Sequence, residues 1–225
     1  MKTEKIPEAT IMRLSVYSRY LRQLENSGVA ITSSQNISEG VDGSSAQVRK
    51  DLAYFGEFGT RGVGYDVKSL NRALMKILGL AHPWKVVIVG AGNLGAALSQ
   101  YNGFLDRGFK VLAVFDRDMS KVGSFLKQVP VFPMYKLDEF VKQNQADIGV
   151  VAVPASAAQE TVDILIRAGI RGILNFAPKT VSIPEGIELR NVDLSVNMEI
   201  LSFNLGLKEV KAEEADELEV RNEIE

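Results

Sequence analysis

The sequence lacks most of the residues on which familiar catalytic and metal sites are built. Its 225 residues include no cysteine and a single histidine, His82. The absence of cysteine excludes disulfide scaffolds, thiolate metal sites and cysteine nucleophiles, and it is typical of a cytoplasmic protein. One histidine is too few for a multi-histidine metal site and argues against a serine–histidine triad. We therefore expect a cytoplasmic protein that uses none of these chemistries.

Long apolar runs are also absent. No stretch of about 18 consecutive apolar residues occurs, so no transmembrane helix is predicted. The first five residues, Met1 to Lys5, are mostly polar or charged and do not lead into the apolar segment of a signal peptide. The sequence therefore predicts neither a membrane protein nor a secreted one.

The net charge of −2 conceals an uneven distribution along the chain. Residues 1–84 carry 11 Lys and Arg against 8 Asp and Glu, residues 85–207 carry 12 of each, and residues 208–225 carry 3 against 8. A basic N-terminal region is compatible with nucleic-acid binding, because the acidic C-terminal residues mask it in the whole-chain sum. We expect residues 208–225 to form a solvated or disordered acidic tail.

Two helices are predicted at the start of the chain. Apolar residues recur at three- and four-residue steps from Ile11 to Leu24, and Gly28 ends this pattern. A second, short helix is expected to follow Thr32, because Gln35 stands three residues later, as in a capping box.

A third helix is predicted from Ser44 to Gly56. Its inward face carries Val48, Leu52 and Phe55, spaced i, i+4 and i+7. A recognition helix of a helix-turn-helix places polar and basic residues near its start into the major groove of DNA. The opposite face of this helix offers such residues as candidate DNA contacts: Ser45, Gln47, Arg49 and Lys50.

A glycine-rich segment follows, from Gly56 to Val67, with four glycines around Arg61. It predicts a β-hairpin whose exposed tip, Arg61 and Gly62, lies along the backbone or in the minor groove of DNA, as in a winged helix. A fourth helix, Lys68 to Leu78, would complete a DNA-binding domain over residues 1–80. The alternative is a small helical protein-interaction domain with a solvated basic face.

The second region begins with a run typical of a strand buried on both faces, Lys85 to Val89. A glycine motif follows it directly and opens a helical segment; a second apolar run, Lys110 to Phe115, ends at Asp116, 21 residues after the last glycine. This strand–turn–helix context is the fingerprint of a Rossmann dinucleotide-binding unit. The motif reads Gly90-Ala91-Gly92-Asn93-Leu94-Gly95.

Each glycine of the motif is required for a separate steric reason. Gly90 allows a tight turn, Gly92 lets the backbone approach a pyrophosphate, and Gly95 lets the helix pack closely on the strand. Asp116 is expected to accept hydrogen bonds from the adenosine ribose and to repel a 2′-phosphate, which favours NAD(H). The adjacent Arg117 leaves NADP(H) open.

Helices and strands continue to alternate up to about Arg190, which predicts an α/β domain over residues 85–190 with a parallel sheet. Two segments stand at the carboxyl ends of predicted strands, where ligands bind in open sheets. No residue is arranged as an obvious acid or base, so we expect a bound dinucleotide that is not turned over, and no enzyme. The two candidate segments are Val153-Pro154 and Asn175-Phe176-Ala177.

The remaining segment, residues 191–207, has the pattern of an amphipathic helix that stands apart from the sheet. It packs either on its own subunit or on a partner subunit, and we expect it to be a dimerisation helix.

A winged helix joined to a dinucleotide-binding unit without a substrate domain resembles the Rex family of bacterial redox-sensing repressors. The resemblance covers about residues 5–207. Four motifs carry it: Ser45-Ala46-Gln47-Val48-Arg49-Lys50-Asp51-Leu52-Ala53-Tyr54-Phe55-Gly56, Gly59-Thr60-Arg61-Gly62-Val63-Gly64-Tyr65, Gly90-Ala91-Gly92-Asn93-Leu94-Gly95 and Gly172-Ile173-Leu174-Asn175-Phe176-Ala177-Pro178.

The resemblance implies a homodimer that exchanges its C-terminal helix between subunits. Such a dimer would bind a palindromic operator in double-stranded DNA when free or NAD+-bound and leave it when NADH binds. Gln47, Arg49 and Lys50 would read the operator, and Arg61 would enter the minor groove.

The resemblance also implies a coupling between the cofactor and the dimer. Tyr101 would lie near the nicotinamide and pair with Asp193 across the dimer, with Arg19 close by. Leu194 stands where some relatives carry a phenylalanine that contacts the nicotinamide. Two alternatives stay open: a DNA-binding regulator that senses another adenine nucleotide such as coenzyme A, and a small NAD-dependent oxidoreductase.

Overall fold

The structure is a computed structural model, and it describes residues 6–60 and 62–207. The chain divides into two compact units. The first unit comprises the residues up to Trp84 together with the segment Asp106–Gly108. The second comprises Lys85–Leu105 and the chain from Phe109 onward. Arg61 and the acidic tail at 208–225 lie outside the described residues.

The first unit is a small helical domain with a two-stranded sheet. Its core is formed by apolar side chains from all four helices, including Leu14, Ile37, Val48 and Leu74. This arrangement confirms the predicted helix-turn-helix. Its elements are α1 (Glu8–Asn26), β1 (Ile31–Thr32), α2 (Ser34–Gly40), α3 (Ser45–Ala53), β2 (Tyr65–Asp66) and α4 (Val67–Ile77).

Polar side chains cap three of these helices. The Ser44 hydroxyl accepts a hydrogen bond from the Gln47 amide at 3.2 Å, as the sequence predicted for α3. The cap of α2 is Ser33, so the prediction that this helix follows Thr32 directly is wrong by one residue. Thr32 is buried in β1, where it pairs with Tyr65.

The glycine-rich segment between α3 and β2 forms a tight turn. Thr60 and Gly64 make an antiparallel bridge, and the Thr60 amide donates to the Gly64 carbonyl at 2.9 Å. A Cβ atom at Gly64, where φ is +105°, would overlap the carbonyl oxygen of Thr32. This glycine therefore lets the turn approach β1, which pairs with β2 as its antiparallel neighbour.

The second unit is built on a seven-stranded sheet. The strand order is β5-β6-β4-β3-β7-β8-β9; β5 is antiparallel to β6, while the β6–β4, β3–β7, β7–β8 and β8–β9 pairs are parallel. This confirms the predicted parallel α/β sheet. The strands are β3 (Trp84–Val89), β4 (Phe109–Asp116), β5 (Phe125–Leu126), β6 (Val129–Pro133), β7 (Ile148–Val151), β8 (Gly172–Asn175) and β9 (Glu188–Asn191).

Helices and short 3₁₀ turns connect these strands. Turns over Met134–Lys136 and Ala155–Ala157 precede the last two of the connecting α-helices. The α-helices are α5 (Asn93–Ser99), α6 (Asn102–Leu105), α7 (Leu137–Asn144) and α8 (Ala158–Ala168).

Side chains of β3 alternate between two apolar clusters. Val87 and Val89 belong to the cluster that includes Phe115 and the buried residues of α7 and α8, whereas Val86 and Ile88 belong to a second cluster with Val114 and Val150. Because successive residues of a strand point to opposite faces, this division shows that both faces of the central sheet are covered. The continuous apolar run in the sequence has this physical cause.

A last helix, α9, occupies residues 194–207. It exposes eight large apolar side chains, which are Leu194, Val196, Met198, Ile200, Leu201, Phe203, Leu205 and Leu207. An isolated helix with so much exposed apolar surface typically marks an interaction site. Among the described residues, no helix is both long and apolar enough to span a membrane.

Candidate functional site

The glycine motif forms a closely packed turn between β3 and α5. Gly90 has a φ of +108°, and a Cβ atom there would overlap the carbonyl oxygen of Ala152 at the end of β7. A Cβ atom at Gly95 would overlap the carbonyl oxygen of Gly90. Both positions therefore require glycine, one for its backbone conformation and both for the close approach of neighbouring backbone.

Gly92 differs from these two glycines because the space around it is open. It is the N-cap of α5, with extended backbone at φ −77° and ψ −174°, and apart from its two chain neighbours no residue has an atom within 4 Å of the position of a Cβ. The amides at the start of a helix carry partial positive charge and form hydrogen bonds with anions. The open space at Gly92 is therefore suited to a phosphate group.

Asp116, the last residue of β4, ties the glycine motif to the sheet. Its Oδ2 atom accepts a hydrogen bond from the Ala91 amide at 2.7 Å, and its Oδ1 atom accepts one from the Asp118 amide at 2.8 Å. Lys121 lies 3.5 Å from Oδ2. The carboxylate is thus held at the edge of the glycine motif, where a ribose bound beside the motif would meet it.

Arg117 is paired with an acidic residue of α8. Its guanidinium lies 2.7 Å from the carboxylate of Glu160, and both side chains are more than half exposed. The hydrogen bond from Arg117 lowers the pKa of Glu160. An exposed pair of this kind contributes little to stability, but it partly neutralises the positive charge of Arg117.

These residues surround a cleft of about 360 Å³ at the carboxyl ends of β3, β4 and β7. A cleft at this edge of a parallel sheet is where ligands bind in open α/β folds. Six of the predicted cofactor-binding residues line it: Gly90, Gly92, Asp116, Arg117, Val153 and Pro154. Ala91, Asn93 and Leu94 belong to the adjoining backbone turn and the first residues of α5.

The structure does not bring the segment Asn175-Phe176-Ala177 into this cleft. The side chain of Asn175 is fully buried, and its amide donates to the carbonyl of Lys179 at 3.0 Å and to Oδ1 of Asn191 at 2.9 Å. Its own Oδ1 atom accepts from the amide of Ala177 at 3.0 Å. The polar atoms of Asn175 therefore organise the loop after β8 and do not face the cleft.

Tyr101 also lies outside the cleft of its own chain. Its ring is 60 % exposed and packs edge-on against Phe104, with ring centroids 5.2 Å apart. Asp193 caps the start of α9, where its Oδ1 atom accepts from the Ser195 amide at 2.9 Å. Leu194 and Arg19 are both exposed, the first on α9 and the second on α1.

The predicted DNA-reading residues of α3 are all at least partly exposed. Arg49 and Lys50 are exposed, and Ser45 and Gln47 are partly exposed. The Arg49 guanidinium donates to the Ser34 hydroxyl at the start of α2, at 2.9 Å. Gly62 lies at the tip of the turn after α3, has a φ of +82° and is exposed. Arg61 lies outside the described residues, so the prediction for its side chain stays a prediction.

Sequence reasoning missed a buried carboxylate on α3. Asp51 is 0 % exposed and accepts five hydrogen bonds. The sequence did contain a signal for it, because Asp51 adjoins Leu52 on the apolar side of the predicted helix. A charged residue buried on that side needs hydrogen-bond partners. The donors are Thr10 at 3.2 Å, Arg13 at 2.6 and 2.7 Å, Tyr17 at 2.9 Å and Gln47 at 2.9 Å.

These donors keep Asp51 ionised. Burial alone would raise the pKa of Asp51, but the hydrogen bonds from Arg13, Gln47 and Tyr17 outweigh it and hold that pKa below its ordinary value of 3.8. Burial, followed by the hydrogen bond to Asp51, raises the pKa of Tyr17 to about 12. The carboxylate thus holds α3 against α1 through a network of charge-assisted bonds.

Comparison with known proteins agrees with both halves of this structure. Residues 5–53 match a family model for the N-terminus of a DNA-binding protein, and residues 81–179 match a model described as a CoA binding domain. A redox-sensing transcriptional repressor Rex from Desulforamulus reducens is 56 % identical over 209 residues, which covers 93 % of this chain and 100 % of the relative. The chain belongs to the Rex family.

More distant Rex proteins show the same relationship. The Rex repressor of Streptomyces coelicolor is 45 % identical over 90 % of this chain and 79 % of its own length. A solved Rex-family repressor, RSP, in complex with β-NAD+ and operator DNA, matches with a TM-score of 0.86 and 38 % identity over 92 % of this chain and 96 % of its own. RSP in complex with β-NADH matches with a TM-score of 0.82 and 36 % identity, over 94 % of this chain and 99 % of its own.

Proposed function

We propose that this chain is a redox-sensing transcriptional repressor that binds a palindromic operator when free or NAD+-bound and releases it on binding NADH. One observation carries the proposal above others. The end of β3, Gly90, Gly92 and Asp116 line a cleft suited to a dinucleotide, in the same chain as a helix-turn-helix with a basic exposed face. Its structural relative RSP has been solved with β-NAD+ and operator DNA and with β-NADH.

The DNA contacts of the proposal come from α3 and the turn that follows it. Arg49 and Lys50 carry exposed positive charge for phosphates and guanine, and Ser45 and Gln47 add hydrogen-bonding groups. Gly62 allows the turn to approach the DNA backbone closely, and Arg61 follows from the sequence as a minor-groove contact.

The dinucleotide contacts come from the cleft at the sheet edge. The pyrophosphate is placed on the backbone of Gly90, Gly92 and the first residues of α5, and the adenosine ribose at Asp116. Val153 and Pro154 line the same cleft at the end of β7. We assign the dinucleotide the role of a ligand that is not turned over, in keeping with relatives that are named as repressors.

Coenzyme A is a second candidate ligand, because residues 81–179 match a model described as a CoA binding domain. Asp116 favours the dinucleotide, since a carboxylate accepts hydrogen bonds from free ribose hydroxyls and repels a phosphate on the ribose. Coenzyme A carries such a phosphate at the 3′ position. Calorimetric titration with NADH, NAD+, NADPH and coenzyme A separates these candidates, and we expect NADH to bind most tightly.

Homodimerisation is the part of the proposal that links the two sites. The described residues leave two apolar surfaces of the second unit uncovered: α9 with its exposed side chains and a groove of about 340 Å³ on the sheet. Burial of both surfaces between two exchanged copies would stabilise a dimer. The groove is lined mainly by apolar residues, which include Val86, Phe104, Phe109, Ile148, Val150 and Leu174.

We assign the coupling between cofactor binding and DNA binding to residues that are exposed in the single copy. Tyr101 and Asp193 would meet across the dimer near the nicotinamide, with Arg19 and Leu194 beside them. NAD+ and NADH differ in the charge and planarity of the nicotinamide, so a sensor must respond at that end of the cofactor. A repressor of this kind acts on DNA in the cytoplasm, and we place the protein there.

The test of the function is a DNA-release experiment. A fluorescent duplex selected by the protein from a randomised double-stranded library is titrated with NADH and, separately, with NAD+. We expect NADH to weaken DNA binding at least about 5-fold more than NAD+ does, the lower end of typical coupling between sites. Equal effects of the two ligands would contradict the proposal.

A further inference from the structure

The buried carboxylate on α3 constrains a residue of the DNA-reading surface. Gln47 lies one helical turn before Asp51, and its side chain donates from Nε2 to Oδ1 of Asp51 at 2.9 Å. An ionised carboxylate can only accept hydrogen bonds, so the amide nitrogen of Gln47, and not its oxygen, must face Asp51. The orientation of the Gln47 amide is therefore determined by the chemistry of its partner.

Gln47 is one of several donors to this carboxylate. Thr10, Arg13 and Tyr17 supply four other hydrogen bonds, two of them from the guanidinium. Two carboxylate oxygens offer about four lone-pair sites, a number that these four bonds already match. The contact with Gln47 therefore has its main consequence for Gln47, whose side chain is held in one orientation while partly exposed.

The bound amide keeps one acceptor and one donor. With one N–H of Nε2 donated to Asp51, the Oε1 atom and the second N–H remain for another partner. In the major groove, a glutamine that offers an acceptor beside a donor matches adenine, which presents the N6 amino group beside the N7 acceptor. A side chain that is ordered before binding loses less conformational freedom on binding.

We propose that Asp51 is a positioning residue that presents the Gln47 amide to an adenine of the operator as an acceptor–donor pair. The inference rests on the proposed role of α3 in reading DNA, and it adds a base preference and the residue that determines it. Asp51 itself is fully buried, so its carboxylate is not accessible to DNA. Its effect is exerted through the orientation of Gln47.

The experiment uses duplexes selected by the full-length protein from a randomised library, with each adenine of a half-site replaced in turn by 7-deazaadenine. This base lacks the N7 acceptor and retains the N6 amino group. We expect one position at which the replacement weakens wild-type binding about tenfold. Gln47→Ala should bind equally well to the parent and the substituted duplex, and Asp51→Ala should show the same loss of sensitivity.

Tyr17→Phe is the matched control for a purely structural effect. It removes one hydrogen bond from the same carboxylate but leaves the bond to Gln47 intact. We expect this variant to melt at a lower temperature than wild type and to keep the full sensitivity to 7-deazaadenine. Loss of sensitivity in Tyr17→Phe would show that stability of α3, not orientation of Gln47, determines the preference, and it would overturn the proposal.

Two further outcomes are decisive. A folded Asp51→Ala variant with unchanged sensitivity overturns the proposal, as does a wild-type protein that binds DNA without sensitivity at any adenine. If Asp51→Ala does not fold, side-chain ¹⁵N relaxation of Gln47 in the free wild-type protein replaces it: an ordered amide supports the proposal, and a mobile one overturns it. Failure of the wild type to select any duplex contradicts the proposed function instead.

Discussion

Substitution of Gly92 by alanine separates ligand binding from folding. The backbone of Gly92 is extended, a conformation that alanine adopts readily, and apart from the two chain neighbours no residue has an atom within 4 Å of the new Cβ. At an N-cap, alanine lowers the free energy of unfolding by up to about 1 kcal/mol relative to glycine. Alanine also makes the unfolded chain less flexible, which raises the free energy of unfolding by about 0.4–1 kcal/mol. We therefore expect the melting temperature to change by only a few degrees.

The effect of Gly92→Ala on the affinity for the dinucleotide should be much larger than its effect on stability. The added methyl group occupies the open space in which a pyrophosphate would lie against the amides at the start of α5. Loss of one charge-assisted hydrogen bond costs about 1.5–3 kcal/mol, which corresponds to roughly 10- to 150-fold weaker binding. Calorimetric titration with NADH measures this change, and binding to the selected duplex without ligand should equal that of the wild type.

Gly95→Ala is the control variant for this prediction. Its Cβ would overlap the carbonyl oxygen of Gly90, so this variant should be destabilised in a thermal melt. If Gly92→Ala binds NADH within twofold of wild type, or if it unfolds as readily as Gly95→Ala, the assignment of the pyrophosphate to this turn is wrong.

Three further predictions concern the other parts of the molecule. Arg49→Ala should abolish operator binding in a gel-shift assay and leave NADH affinity unchanged; loss of both would indicate misfolding. The pKa of Asp51 is lowered on folding, so its stabilising effect is present above pH 3.8 and lost as pH falls through the folded pKa; the difference in unfolding free energy between wild type and Asp51→Ala should therefore shrink in acid. Leu201→Glu, on exposed α9, should convert a dimer to a monomer in light scattering, whereas an unchanged mass would contradict the exchanged-helix dimer.

The dinucleotide cleft was accessible to sequence reasoning because its requirements are local. All of its parts lie within 32 residues, from Lys85 to Asp116: the buried strand, three glycines and Asp116. Each part is required for a steric or electrostatic reason, and the spacing of the residues is enough to recognise it. The structure brings Gly90, Gly92 and Asp116 to one cleft, as this spacing predicts.

Asn175 shows where such reasoning stops. Its position at the end of β8 was predicted, but a position on a strand end does not specify what the side chain contacts. The partners that bury its amide, Lys179 and Asn191, come from a loop and from β9. β9 has only four residues and a polar sequence, so no apolar pattern predicts this strand.

Other strands escaped prediction for similar physical reasons. β6 contains Pro130 and Pro133, and proline lacks the amide that a central strand donates. β1 has two residues, too few for a periodic pattern, whereas β2 lies within the glycine-rich segment for which the sequence predicts a hairpin. The buried network of Asp51 depends on Thr10, Arg13 and Tyr17, 34 to 41 residues away in the chain, and only the folded structure joins them.

We expect the nicotinamide redox state to control DNA binding, and a titration of the protein–DNA complex measures this control. A fluorescent operator duplex bound to the wild-type protein is titrated with NADH in one experiment and with NAD+ in another, while anisotropy reports the bound fraction. We expect release by NADH at concentrations at which NAD+ leaves the duplex bound. Release by both ligands to the same extent, or by neither, would contradict it.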